Sequence, residues 1–113
     1  PCYTLPEQID PAAAAEILTA FAKVYQEGDD KNDWFEKVKS ICGPLGFCSS
    51  TKDYKANPGA FKGHVGDVST VLRIAVTGRT NTPDLCAIMQ TLGRSRTLSR
   101  LQQAAEYYQK AQL

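Results

Sequence analysis

LRIAVTGRTNTPDL, residues 72–85, decides how the chain folds. Together with the residues just before it, Asp67–Thr77 carries apolar side chains at Val68, Val71, Leu72, Ala75 and Val76, the spacing of one helical stripe against a core. Arg73 falls off that stripe. Gly78 supplies the left-handed residue that closes such a helix, and Thr82-Pro83-Asp84 predicts a restart through a hydroxyl cap, a proline in the first turn and an acid beside the dipole. The expectation is an exposed helical corner presenting Arg73, Arg79, Asn81 and Thr82 to solvent.

Downstream, Thr82–Leu92 reads as a short helix with Leu85, Ile88, Met89 and Leu92 inward, closed by Gly93. Ser95 or Thr97 then caps a last helix, in which Leu98, Leu101, Ala105 and Tyr108 continue the core. Upstream, residues 47–66 read as an irregular loop, with Pro58 and three glycines and with Lys52, Tyr54, Lys55, Phe61, Lys62 and His64 interleaved. Such a run either stacks on and neutralises unpaired nucleotides or pins the loop through its rings while the lysines stay wet.

Near the start, Asp10-Pro11 opens a helix with Ile17, Leu18, Phe21, Val24 and Tyr25 inward, ended by Gly28-Asp29-Asp30. Asp33 and Glu36 have capping-box spacing for a second helix, with Trp34, Phe35, Val38 and Ile41 as its core side chains. Gly43-Pro44 should stop or kink it, and Gly46 finishes it. The fold class is therefore all-α, a compact bundle of about five helices. A single domain spans residues 1–113: a lead-in without fixed structure (1–9), N-terminal helices (10–46), the loop (47–66) and C-terminal helices (67–113).

Charge is unevenly placed. Residues 1–61 hold six lysines and nine acids, a balance of −3, whereas residues 62–100 hold Lys62 and five arginines against Asp67 and Asp84, a balance of +4. Every arginine lies between Arg73 and Arg100. Arginine's planar fork suits phosphates and base edges, so this segregation points towards nucleic acid; a merely solvated basic face is the plain alternative. Arg94, Arg96 and Arg100 also stand at the predicted start of the last helix, where cations oppose the dipole unless something anionic binds.

The four cysteines fit no zinc spacing, and His64 is the only histidine. Reduced, structural thiols are expected, with no metal site. No apolar run approaches the roughly 20 residues of a membrane span. The chain opens on Pro1, with no signal-peptide pattern near it, and reads as a piece of a longer cytoplasmic protein. A catalytic reading fails on inventory: there is no nucleophile with a base at recognisable spacing, no glycine-rich phosphate loop and no metal constellation.

The central stretch, with FKGHVGDVSTV (residues 61–71) before it and IMQTLGRSRTLSRL (residues 88–101) after it, resembles the C-terminal anticodon-binding domain of bacterial glutamyl-tRNA synthetases, class I aminoacyl-tRNA synthetases. The signature of leucine-arginine, threonine-glycine, threonine-proline-any-leucine, leucine-glycine and arginine-leucine appears in order. The resemblance is closest over Trp34–Leu101. It implies an all-helical cage for the anticodon loop of a glutamate tRNA, with Arg73, Thr82, Pro83 and Leu85 at the bases. Arg79, Asn81, Arg94, Arg96, Arg100 and Lys62 are then the expected backbone contacts. It further implies a monomeric partner of tRNA and of the rest of the synthetase, in the cytoplasm, with no cofactor of its own because ATP and magnesium serve the parent's catalytic domain. A helix-turn-helix DNA reader is the rival, its recognition face being Asp84, Cys86, Ala87, Gln90 and Thr91; a helical protein-interaction domain with Tyr3, Tyr25 and Tyr107 as surface is the third reading.

Overall fold

The computed structural model describes residues 3–7, 9–82 and 84–111. Its elements are α1 (Pro11–Val24), α2 (Lys31–Leu45), α3 (Thr51–Ala56), a 3-10 turn (Pro58–Ala60), α4 (Val65–Thr77) and α5 (Leu85–Lys110). The architecture is all-α, and among the described residues the only sheet-like pairing is an isolated bridge between Cys48 and His64.

α1 is the central element. Asp10 caps it by accepting from the Ala13 amide at 2.9 Å, and its small and apolar residues Ala14, Ile17, Leu18 and Phe21 leave no surface to water. Alanine on this face lets α5, α2 and α4 all approach it. Burying each large side chain contributes about 1.5–3 kcal/mol, and Phe21 meets Trp34 edge to face with ring centroids 5.9 Å apart. Trp34 in turn donates its indole N–H to Met89 Sδ at 3.1 Å, tying α2 to α5.

Several boundaries differ from the sequence reading. α1 ends at Val24, because Tyr25 turns extended while its N–H still donates to Phe21 O; Gly28 serves the following loop at φ +97°. α2 starts a turn earlier than predicted. Asp30, not Asp33, is its cap, and it accepts from the Asp33 amide at 2.8 Å; two acids three apart offered the same local chemistry. α2 runs one residue past Pro44 to Leu45, and Gly46 closes it at φ +86° as expected. Phe35 is 39% exposed rather than in the core, its ring under Lys39 Nζ.

The loop at 47–66 is more ordered than its composition suggested. Ser50 caps α3, while Cys48 N–H donates to Gly63 O and Lys62 N–H to Gly46 O, both at 2.9 Å. These two bonds close the base of a finger. Tyr54 clasps it, lying 5.0 Å from the His64 ring and 6.5 Å from Phe61. His64 then caps α4 by accepting from the Gly66 amide through Nδ1. The lead-in is also tied down: Ile9 is buried, Tyr3 packs on Tyr107 and Tyr108, and Tyr108 donates its hydroxyl to Tyr3 O at 2.9 Å.

The last predicted pair of helices forms one element with a sharp break. Gly93 has φ 83° and ψ 167°, a conformation essentially confined to glycine. Neither Ser95 nor Thr97 caps the second half of the element. Glu27, far away in sequence, accepts from the Arg94 amide at 3.1 Å, and the fully buried Thr97 donates to Met89 O at 3.1 Å across the break. A Cβ at Gly93 would meet nothing within 4 Å, so Gly93→Ala isolates backbone strain. It should destabilise the fold by about 1–3 kcal/mol in urea unfolding, with unchanged slope.

Cys42, Cys48 and Cys86 are buried free thiols; Cys2 lies outside the described residues. Burial, aided by the nearby Cys48, pushes Cys42 up to about 11, so it stays a thiol at neutral pH. Native protein at pH 8 should therefore protect Cys42 from iodoacetamide, with labelling appearing only as urea unfolds the chain; mass spectrometry reads this directly.

Candidate nucleic-acid interface

The corner is built by short bonds that its sequence neighbours supply. Gly78 closes α4 at φ +74°, its N–H donating to Ile74 O at 2.8 Å. Thr77 donates its hydroxyl to Arg73 O at 2.7 Å and accepts from the Arg79 amide at 3.1 Å, which turns the chain out of the helix. Asp84, not Thr82, caps α5: its carboxylate accepts from the Cys86 and Ala87 amides at 3.1 and 3.4 Å. A charged acceptor at a helix N-terminus gains from the dipole as well as the hydrogen bonds, an advantage a hydroxyl lacks.

Thr82 is thereby left for another task. Its Oγ1 accepts from Arg73 Nε at 2.7 Å, a bond across the whole turn. Both side chains are half-buried rather than open to solvent. The bond fixes the guanidinium at its inner nitrogen, and among the described residues nothing engages its two terminal amino groups. Arg79 and Asn81 are exposed and line a groove of about 480 Å³ with Leu5 and Pro6 of the lead-in; Arg73 and Thr82 are not among its walls.

Arg100 joins the corner from α5. Its Nη1 donates to Val76 O at 2.7 Å, meeting a carbonyl left over at the end of α4, where a cation also suits the dipole. This is its structural task, which a reading of α5 alone misses. Arg79 and Arg100 line a second recess of about 370 Å³ with Tyr3, Thr77 and Gln103.

The other sequence-chosen residues are distributed elsewhere. Leu85 is 2% exposed and belongs to the core, so its side chain is not offered to a ligand. Pro83 lies outside the described residues. Arg94 stands at the Gly93 break with its amide on Glu27, Arg96 is exposed one helical turn before Arg100, and of the three only Arg100 donates its guanidinium within the described fold. Lys62 sits at the far end of α4 from the corner, about 20 Å away by the rise of a helix this long. No arginine side chain pairs with a carboxylate among the described residues.

The helix-turn-helix face is spent within the fold. Cys86 is buried, Gln90 donates to Asp29 O at 2.6 Å and Thr91 to Ala87 O at 2.9 Å. Of the three tyrosines considered as interaction surface, Tyr25 is buried, Tyr3 half-buried and Tyr107 exposed.

A sequence model described as an anticodon binding domain matches residues 59–105. The glutamate–tRNA ligase of Acetivibrio thermocellus is 46% identical over 97 residues, covering 86% of this chain and 18% of that protein. The chain is an anticodon-binding domain homologous to the C-terminal region of glutamate–tRNA ligases. The ligase of Sorangium cellulosum is 40% identical over 96 residues, 85% of this chain and 17% of the ligase, and that of Clostridium perfringens strain 13 is 39% identical over 97 residues, 86% and 18%. The chain thus spans less than a fifth of these relatives' length. No solved structure matches it. Among the described residues of this anticodon-binding domain, no helix is long and apolar enough to cross a membrane.

The hydrogen bond to Val76 separates Arg100 from Arg96 without any RNA. Arg100→Met should lower the stability of the free domain by about 1 kcal/mol, whereas Arg96→Met should stay within about 0.5 kcal/mol of wild type. Thermal unfolding at fixed pH compares them.

Proposed function

We propose that the corner around Gly78 reads the anticodon loop of a glutamate tRNA. Arg73 donates to a base edge, and Arg79, Asn81 and Arg100 hold the adjacent backbone. The observation that carries this reading is the Arg73–Thr82 bond, which orients the guanidinium and leaves its terminal amino groups for a ligand. An oriented fork suits an unstacked base, whose edges are open to bidentate hydrogen bonding. Thr82 then acts by positioning Arg73.

In this reading the domain has no chemistry of its own. It lends specificity to ATP-dependent glutamylation of tRNA performed by the rest of a cytoplasmic ligase, where ATP and magnesium belong, and it binds as a monomer. Burial supports the absence of thiol chemistry at the corner: the Cys86 thiol is pushed up by desolvation and then by nearby Asp84. Affinity of the domain alone is weak and salt-sensitive, because few phosphates are within reach.

Titration with a glutamate tRNA stem-loop, beside one altered at the second and third anticodon bases, tests the assignment. Arg73→Ala should cost about 1–3 kcal/mol on the cognate loop and reduce discrimination. Arg73→Lys should keep the salt dependence yet still lose discrimination, since an ammonium has no fork and no Nε for Thr82. Arg96→Ala should weaken both loops alike. Equal losses on both loops from Arg73→Ala would sink the assignment.

A further inference from the structure

Outside the corner, the strongest unexplained feature is the finger between Ser50 and Gly63. α3 has no buried residue, and of residues 51–62 only Tyr54 is even half-buried. α3 packs chiefly on the 3-10 turn that follows it. The finger therefore contributes little to the core. It is nevertheless held in shape by the Ser50 cap, the two bonds at its base and the Tyr54 clasp. Gly63 shows how closely the base is fitted, since a Cβ there would fall 2.4 Å from Asp67 Oδ2 and 3.1 Å from the Phe47 ring.

Its charges differ from those of the helical body. Residues 1–49 hold four lysines and eight acids, whereas residues 50–62 hold Lys52, Lys55 and Lys62 against Asp53 alone. Three of the body's four lysines are paired: Lys31 with Asp84 at 3.8 Å, Lys39 with Glu36 at 2.8 Å and Lys37 with Asp29. Among the described residues none of the finger's three lysines has a carboxylate partner. All three are exposed.

We propose that this finger is a second RNA-binding surface, whose Lys52, Lys55 and Lys62 engage backbone phosphates of the tRNA held at the corner. The inference rests on the RNA-binding reading above, but not on which bases Arg73 reads. Charge complementarity selects the occupant, because unpaired ammonium groups on a rigid projection gain by displacing counterions from a phosphate backbone. The finger's base at Gly63 lies at the opposite end of α4 from the corner, about 20 Å away by the rise of that helix. At physiological salt that separation exceeds the Debye length of about 8 Å, so direct charge coupling between the two surfaces is screened. Lys52 and Lys55 precede the stretch matched by the anticodon-binding family model, residues 59–105, whereas Lys62 lies within it.

The test uses the whole 113-residue chain with a full-length glutamate tRNA transcript and its anticodon-altered counterpart, titrated across a salt series. The triple variant Lys52→Gln, Lys55→Gln, Lys62→Gln should bind both about tenfold more weakly at low salt. The slope of log affinity against log salt should flatten by about 2, and the ratio between the two RNAs should stay unchanged. The corresponding Lys→Arg triple variant should bind as wild type. Unaltered circular dichroism is expected for both, since α3 buries nothing. An unchanged affinity and slope in the glutamine variant would overturn the finger proposal, even where Arg73→Ala still erases anticodon preference. Absence of anticodon preference in the wild-type chain would overturn the corner reading instead, leaving the glutamine variant's slope to decide the finger.

Discussion

No regular helix passes through φ 83°, ψ 167°, and the basic corner depends on Gly93 adopting those angles. A straight α5 would carry its second half away from α4. The break instead folds it back, so that Thr97 reaches Met89 O and Arg100 reaches Val76 O. One bond fastens the reversal inside the core and the other fastens it to the end of α4. Glu27 completes the arrangement by receiving an amide that the second half of the helix would otherwise leave unsatisfied. The loop between α1 and α2 is therefore part of the support that holds the corner in place, although it contributes nothing to the corner's surface.

Legibility in the sequence tracked the range of the interactions. The stripe of α4, its glycine stop at Gly78, the Asp10 cap and the Gly46 stop were all readable, because each is decided within one or two turns. Asp30 against Asp33, and Asp84 against Thr82, were not. In each pair both residues are competent caps, and the choice falls to neighbours that a linear reading does not weigh. Glu27 and the packing of Tyr3 on Tyr108 were beyond reach altogether, since their partners stand 67 and 105 residues away. Phe35 shows the reverse failure. It matched the periodicity, but the helix turns it to solvent under Lys39.

The candidate site divides in the same way. The residue types at the corner were legible from the segregation of arginine, and the family signature named Arg73 and Thr82 together. Neither disclosed that these two bond to each other, which changes the role assigned to Thr82. Leu85, read both as core and as contact, is placed in the core by its burial. The arginines read as one cluster divide by task, Arg100 serving the end of α4 while Arg96 serves no described contact.

An arginine left fully mobile loses rotamer freedom when it binds, at a cost of about 0.5–1.5 kcal/mol for an immobilised side chain. The Arg73–Thr82 bond makes part of that restriction a property of the free domain. It does so at Nε, the one nitrogen that a bidentate contact through the terminal amino groups does not use. Orientation and recognition are thus assigned to different atoms of the same side chain. Lysine cannot divide its donors in this way, having a single nitrogen. The confinement of all five arginines to residues 73–100, while lysines serve the acidic body and the finger, reflects the same distinction between directed donors and simple charge.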